Sequence, residues 1–208
     1  MKLAGSVQQW RRDNLYDASG SITSGNKAQL VLAQSMTRSL LYIQNLSSGA
    51  LYVEIGSARA TCTVSGGAVT SGGFTVTNAG FNFTNPPVIK FVGGGPGGPG
   101  SGTPYLGLNQ PNGPSPSNPA QAHCVLSTNT VGSIVLDNPG SGYLIAPFML
   151  ITNSDLDPYG CAVPSVGVGI ELAASGGSIL FNGTACPTDS VSIFGGTTSQ
   201  AFCCKWMD

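Results

Sequence analysis

Hydrophobic positions in this chain alternate with polar ones over short runs, which is the pattern of half-buried β-strands. Leu51, Val53 and Ile55 alternate with Tyr52 and Glu54. Comparable β-rich runs occur at 28–34, 38–45, 120–126, 170–172, 178–181, 190–194 and 200–206. No window places apolar residues at the i, i+3, i+4, i+7 spacing of an amphipathic helix. The patterning predicts an all-β protein with almost no helix, and it predicts a hairpin over residues 38–55.

One stretch of the chain occurs twice. Residues 74–91 align with residues 134–151 at a constant offset of 60, and each copy has the order strand, Asn-x-Gly turn, aromatic residue, proline, strand. The matched pairs are Asn78 and Asn138, Gly80 and Gly140, Phe83 and Tyr143, and Pro87 and Pro147. We therefore expect Phe83 and Tyr143 to occupy equivalent places in two similar β-units.

The two ends of the chain each carry three or four predicted strands, too few for a sheet with protected edges. Segments 28–61 and 166–208 together supply enough strands for a small antiparallel β-sandwich or barrel. We therefore predict a host β-domain built from both segments, with residues 62–165 inserted as a β-repeat module. The module holds two repeats, at about 67–95 and 128–154, and a Gly/Pro-rich loop at 93–119 between them.

Residues 1–27 are polar and irregular, and they predict an N-terminal arm. The large apolar side chains of this arm are Trp10 and Tyr16, and its one adjacent basic pair is Arg11 and Arg12. Either the arm is flexible, or it docks on a neighbouring subunit through these four residues, because such arms often become ordered on assembly. The sequence leaves both alternatives open.

Charge is scarce in this chain: 8% of residues are charged and the net charge is −1, against a usual charged fraction of about 25%. A surface with so little charge suits a subunit that partners cover, since free monomers keep surface charge for solubility. The weak net charge excludes electrostatic binding to nucleic acid or to an anionic membrane. No apolar run is long enough to span a membrane.

The residue types that carry catalysis or bind metals form no recognisable motif. The six cysteines lack C-x-x-C spacing, and the first residues show no apolar stretch typical of a signal peptide, so we expect free, buried thiols. The single histidine, His123, cannot form a dyad with Cys124, because adjacent strand side chains point to opposite faces. Asp155 and Asp157 could offer oxygens to a cation, but they fit a turn before Pro158 at least as well. We therefore predict no catalytic residues, no metal site and no cofactor.

Three aromatic residues follow the Asn-x-Gly turns: Phe81, Phe83 and Tyr143. They could form a platform on which sugars stack, or each could fill the core of its own repeat. The structural role is favoured, because Phe83 and Tyr143 share one repeat position.

The second repeat also carries a family resemblance. The run Asn138-Pro-Gly-Ser-Gly-Tyr143-Leu-Ile-Ala-Pro147, followed by an apolar strand, resembles a β-repeat of tailed-phage virion proteins, in which Gly-Ser-Gly-Tyr-x-x-x-Pro units punctuate short antiparallel strands. Residues 40–53 and 187–200 resemble the opening and closing segments of small β-domains on phage virion surfaces. The first copy departs from the pattern, since Ala79-Gly-Phe-Asn-Phe83 stands there.

The resemblance implies a structural subunit of a virion, and not an enzyme. The expected role is a capsid decoration (cement) protein on the capsid surface, bound to the major capsid protein and to itself, with a homotrimer as the implied assembly. The alternative is a receptor- or carbohydrate-binding tail or head-fibre protein.

Overall fold

Short strands make up nearly all the regular structure in the described part of the chain, which contains no α-helix and one 3₁₀ turn, Gly183–Ala185. The all-β prediction is confirmed. The structure is a computed structural model, and it describes residues 15–95, 116, 118–154 and 157–208. The strands, in chain order, are β1 (Leu15–Asp17), β2 (Gly20–Ser21), β3 (Lys27–Leu32), β4 (Leu40–Asn45), β5 (Leu51–Ile55), β6 (Arg59–Thr61), β7 (Val64–Ser65), β8 (Ala68–Val69), β9 (Thr75–Asn78), β10 (Val88–Val92), β11 (Gln121–Ser127), β12 (Thr130–Asn138), β13 (Phe148–Thr152), β14 (Ile170–Leu172), β15 (Ser178–Asn182), β16 (Val191–Gly195) and β17 (Ala201–Met207).

Two antiparallel sheets from the two chain ends form a sandwich. The first has the order β1-β17-β4-β15, with β2 also paired to β17, and the second has the order β14-β5-β16-β3. Their inner faces share one core, because alternate residues of each strand point inward. The buried members of this core are Ile22, Leu32, Leu41, Ile43, Leu51, Val53, Leu172, Cys186, Val191, Ile193, Phe202 and Cys204. The sandwich built from both chain ends is therefore as predicted, and it is not a closed barrel.

The structure corrects the boundary of the predicted N-terminal arm. Strand β1 pairs with β17, with Tyr16 opposite Trp206, and β2 pairs with the same strand. Ile22 is 1% exposed and belongs to the sandwich core. Residues 15–22 are thus part of the host sheet, because pairing with β17 satisfies their backbone and Ile22 gains burial.

The predicted hairpin over residues 38–55 is wrong, because its two strands belong to opposite sheets. Strand β4 pairs with β17 and β15, whereas β5 pairs with β14 and β16. The buried Asn45 side chain holds the connection between them: its Nδ2 donates to the carbonyls of Gly49 (2.8 Å) and Leu172 (2.9 Å), and its Oδ1 accepts from the Ser47 N–H (2.9 Å). These bonds keep the turn over the end of the sandwich instead of between paired strands.

The inserted module has a core of its own. It contains the strand pairs β6–β9, β10–β13 and β11–β12 and the small hairpin β7–β8. The buried members of its core are Ala58, Ala60, Cys62, Val69, Phe83, Phe91, Ala120, Cys124, Val131, Tyr143, Met149 and Ile151. The predicted start of the module at residue 62 is therefore too late, since β6 pairs with β9 and its residue Ala60 already lies in this second core.

Buried hydrogen bonds attach the returning chain of the module to the host sheet. The Ser190 hydroxyl donates to the Gly160 carbonyl (2.5 Å), and the Ser192 hydroxyl donates to the Ala162 carbonyl (2.6 Å). The Ala162 N–H donates to the Gly56 carbonyl (2.8 Å). Strand β16 therefore fixes where the module leaves and re-enters the sandwich.

Two charged side chains, Arg38 and Glu54, are buried in the host and form hydrogen bonds there. The Arg38 side chain is 4% exposed and donates to three backbone carbonyls, those of Ala33, Pro187 and Asp189. Glu54 on β5 is also 4% exposed, and both of its carboxylate oxygens accept from the Arg59 guanidinium on β6, at 3.1 and 2.5 Å. The ion pair between Glu54 and Arg59 links the host to the module directly.

Candidate functional site

The two repeats are related by an approximate two-fold axis. Strands β10 and β13 occupy equivalent positions in the two copies, and they pair antiparallel with Lys90 opposite Leu150. Lys90 and Leu150 are themselves equivalent at the offset of 60, so the axis passes between them. The turns also match, since the Gly80 N–H donates to Asn78 Oδ1 (3.0 Å) and the Gly140 N–H donates to Asn138 Oδ1 (2.9 Å).

The equivalence extends further toward the N-terminal end of each repeat than the sequence alignment does. Strand β6 corresponds to β11 at an offset of 62, and the pairing is irregular after the first residue of both strands. The hairpins β7–β8 and β11–β12 end in matching pairs, Val64 with Val69 and Leu126 with Val131. Each repeat is therefore a hairpin, a turn and a returning strand.

The hairpin tip of each repeat docks on the turn of the other repeat. Val131 N–H donates to the Ala79 carbonyl (2.8 Å) and Phe83 N–H to the Asn129 carbonyl (3.1 Å). The equivalent bonds join Val69 N–H to the Pro139 carbonyl (3.0 Å) and Tyr143 N–H to the Gly67 carbonyl (3.0 Å). This exchange interlocks the two copies, so neither can bury its core alone.

The expected equivalence of Phe83 and Tyr143 is confirmed. The two rings are 1% and 2% exposed, and both fill the module core. The Tyr143 hydroxyl also accepts from the Ala120 N–H (2.7 Å). Phe81 is half-buried, and its backbone pairs with Cys161. Rings buried in this way cannot stack on an external sugar, so Phe83 and Tyr143 have the structural role.

The other side of the β10–β13 pair is an exposed apolar surface. Alternation places the exposed Lys90 on this side, opposite Leu150. The apolar residues on the same side are Val88, Phe148 and Leu150, which point away from the buried residues of both strands. Their exposed fractions are 46%, 54% and 40%, and Leu144 and Ile145 on the preceding turn are also more than half exposed. We call these five residues the outer apolar face. Exposed apolar surfaces of this kind mark interaction sites more often than isolated surface residues do.

Two grooves adjoin the outer apolar face where β6 lies beside β13. One has a volume of about 420 Å³ and is lined by apolar side chains that include Cys62, Val92, Ile145 and Phe148. The other, of about 320 Å³, reaches Arg59 and Asp189 at the host. Burial raises the pKa of the Asp189 carboxyl, which the nearby Arg38 partly offsets. The surface is therefore mainly apolar around Lys90, and it becomes polar toward the host.

The candidate contacts of the N-terminal segment separate into two groups. Trp10, Arg11 and Arg12 lie outside the described residues. Tyr16 stacks on Trp206, with ring centroids 4.3 Å apart and an interplanar angle of 21°. Tyr16 remains 38% exposed, so one part of its ring stays accessible, and its role in partner contact stays a prediction.

The thiols and titratable groups that the structure describes do not converge on a reactive centre. His123 Nδ1 lies 2.8 Å from Asp137 Oδ1, and both side chains are about half exposed. The six cysteines are free and five of them are buried. Burial raises the pKa of the Cys62 and Cys124 thiols to about 11 and that of Cys161 to about 12. Such thiols stay protonated at neutral pH and are poor nucleophiles.

Within residues 15–95, 116, 118–154 and 157–208, no three His, Cys, Asp or Glu side chains are grouped so that they could hold a metal ion. The described residues also include no helix with the length and apolar character needed to cross a membrane.

Comparison with known proteins adds no relative to this picture. No protein-family model matches the chain, and no curated protein or solved structure matches it. The function therefore rests on the residues themselves.

Sequence reasoning did not find the outer apolar face, although a signal for it exists. Residues 148–151 form an unbroken apolar run, Phe-Met-Leu-Ile. A strand with one buried face needs apolar residues only at alternate positions. The extra pair, Phe148 and Leu150, therefore indicates a second apolar surface.

Proposed function

We propose that this chain is a structural subunit of a phage virion, specifically a capsid decoration (cement) protein that bridges major capsid subunits. The outer apolar face is the observation that carries the proposal, because the exposed apolar side chains Phe148 and Leu150 share one sheet face, interrupted only by Lys90 opposite Leu150, and such surfaces mark interaction sites. The charge-poor sequence and the phage-like repeat at residues 138–147 point the same way. The buried thiols and the separated titratable groups favour binding over catalysis.

The size of the outer apolar face indicates how such a subunit would attach. Fully burying one large apolar side chain contributes about 1.5–3 kcal/mol, so each half-exposed residue of the face would contribute about 1 kcal/mol. The five residues together would contribute about 5 kcal/mol, close to the lower limit of about 4–15 kcal/mol that association costs. A single copy would then bind weakly, whereas a homotrimer that engages several capsid subunits would bind tightly through avidity.

The proposed partners are the major capsid protein and further copies of this chain, and the proposed location is the capsid surface after synthesis in the host cytoplasm. Nucleic acid and membrane are not proposed partners, since a net charge of −1 provides no attraction to phosphate. The N-terminal segment with Trp10, Arg11 and Arg12 is proposed to add contacts to neighbouring capsomers.

Particles that lack the protein provide the test. We expect them to lose infectivity at a lower temperature than complete particles, and to recover when purified protein is added. A Phe148→Ser/Leu150→Ser variant should fail to restore heat stability, while a Val125→Ser/Val135→Ser variant, changed at equally exposed apolar positions outside the face, should restore it. If particles without the protein kept their heat stability, or if they lost adsorption to the host cell instead, the proposal would be overturned and the receptor-binding alternative favoured.

A further inference from the structure

Buried polar atoms without hydrogen-bond partners are concentrated around one loop. The described part of the chain contains five such side-chain atoms, and four of them are oxygens of the residues that precede and follow positions 155–156 and of one host residue that contacts them. These four are Gln34 Oε1, Asn153 Oδ1, Ser154 Oγ and Asp157 Oδ1. Each buried polar atom without a partner costs about 1–3 kcal/mol, so four on residues that meet around one loop call for a partner, either an ion or ordered water.

Backbone hydrogen bonds bring these residues together. The Asp157 N–H donates to the Ser154 carbonyl (3.0 Å), which closes a tight turn. The Gln34 N–H donates to the Pro158 carbonyl (2.9 Å), which places Gln34 of the host beside the same turn. Asn153 Nδ2 donates to the Gly160 carbonyl (2.8 Å), so the orientation of this amide is fixed and its oxygen is the atom left over.

The Asp157 side chain carries the charge of the cluster. Asp157 is 2% exposed, and its Oδ2 accepts from the N–H groups of Thr84 (2.7 Å) and Asn85 (2.8 Å). Burial opposes ionisation, but these amide bonds outweigh it and lower the pKa of the carboxyl. The nearby Tyr159 N–H also lowers this pKa. The other oxygen of this buried carboxylate, Oδ1, accepts no hydrogen bond of good geometry from the described residues.

We propose that Gln34, Asn153, Ser154 and Asp157 form a binding site for Ca²⁺. All four unpartnered atoms are oxygens, and carboxylate, amide and hydroxyl oxygens are ligands suited to this hard cation, with water completing its six to eight positions. Mg²⁺ fits less well, because it keeps most of its water and demands near-ideal octahedral geometry. With one carboxylate among the four ligands, the dissociation constant belongs in the weak range of about 10⁻⁴–10⁻³ M.

The position of the site gives the cation a structural role. Asp157 holds the Thr84–Asn85 turn of the first repeat, Gln34 belongs to the host, and Gly160 accepts from Ser190, the residue before β16. Bound Ca²⁺ would therefore fasten the repeat module to the sandwich. This role does not depend on the proposed virion function.

Terbium luminescence provides the test, because Tyr159 next to the loop can transfer energy to bound Tb³⁺. Full-length protein is treated with EDTA, titrated with Tb³⁺ and then challenged with Ca²⁺ or Mg²⁺. We expect saturable emission that millimolar Ca²⁺ displaces more effectively than Mg²⁺, and a rise in melting temperature with Ca²⁺. Asp157→Asn should weaken Ca²⁺ binding at least tenfold, whereas Asp137→Asn, at an exposed carboxylate paired with His123, should leave it unchanged.

The Ser154→Ala variant provides a second test in case the Asp157→Asn variant does not fold. Ser154 is half exposed and makes no side-chain hydrogen bond among the described residues. This variant should fold normally and bind Ca²⁺ more weakly than the original protein. If Ca²⁺ neither displaces Tb³⁺ nor raises the melting temperature, or if both variants bind as tightly as the original protein, the site does not exist and ordered water fills these positions.

Discussion

Removing the Tyr143 hydroxyl tests how the second repeat is stabilised. In the variant Tyr143→Phe, the ring still fills the core, but the Ala120 N–H loses its acceptor at 2.7 Å. Ala120 is 6% exposed, so water cannot replace that acceptor. We expect a loss of about 1–3 kcal/mol in the free energy of unfolding, which is the cost of leaving one buried donor without a partner.

Urea denaturation and amide hydrogen exchange measure this loss. A protein of this size loses about 2–4 °C of melting temperature per kcal/mol, so the variant should melt about 2–12 °C lower. Exchange of the Ala120 amide should become about 5- to 150-fold faster, because every 1.4 kcal/mol is a factor of ten. The matched control is Tyr42→Phe, which removes a hydroxyl from a half-exposed ring on the outer side of β4 and should change stability by less than about 0.5 kcal/mol. If the Tyr143→Phe variant were as stable as the Tyr42→Phe control, the hydrogen bond of the Tyr143 hydroxyl would not stabilise the second repeat as described.

Four further predictions concern the host and its junction with the module. Arg38→Met removes the guanidinium that donates to three part-buried carbonyls, and it should lower the free energy of unfolding by about 2–3 kcal/mol in urea titrations. Arg59→Ala leaves the buried Glu54 carboxylate unpaired and should cost about 1–2 kcal/mol, since solvent screens the half-exposed guanidinium; adding Glu54→Gln should recover most of that loss. In the native protein one thiol, Cys203, should react with a thiol reagent at pH 8, and six should react after unfolding. Burial raises the pKa of the Cys204 thiol to about 12, above the value of about 8.5 for a thiol in an unfolded chain. The buried neutral thiol therefore contributes its full stability below pH 8.5, and this contribution should be lost as the pH rises toward 12. Urea midpoints measured between pH 8 and pH 10.5 should fall accordingly.

The repeat could be predicted from the sequence only in part. The alignment found residues 74–91 and 134–151, because large side chains and turn residues recur there at one offset. It missed the matching strands β6 and β11, since the first copy has two more residues between Val69 and Thr75 and the offset changes from 62 to 60. The matched residues of those strands are also small, such as Ala60 and Ala122, and carry little pattern.

Alternation of apolar residues predicts burial, but it does not predict which sheet a strand joins. Strands β4 and β5 have the pattern of a hairpin, yet the buried Asn45 amide directs them into different sheets. The sequence shows Asn45 as an ordinary turn residue, because its partner at Leu172 lies 127 positions away. Likewise, Asp157 looks like a loop residue until the fold places Thr84 and Asn85 against it.

The copy number of this protein in purified virions tests the proposed function most directly. A cement protein that bridges capsid subunits must be present in numbers close to those of the major capsid protein, and quantitative mass spectrometry of intact particles would give that ratio. We predict a ratio near one to one. A ratio corresponding to only a few copies per particle, or absence from the particles, would contradict the proposal that this chain stabilises a capsid.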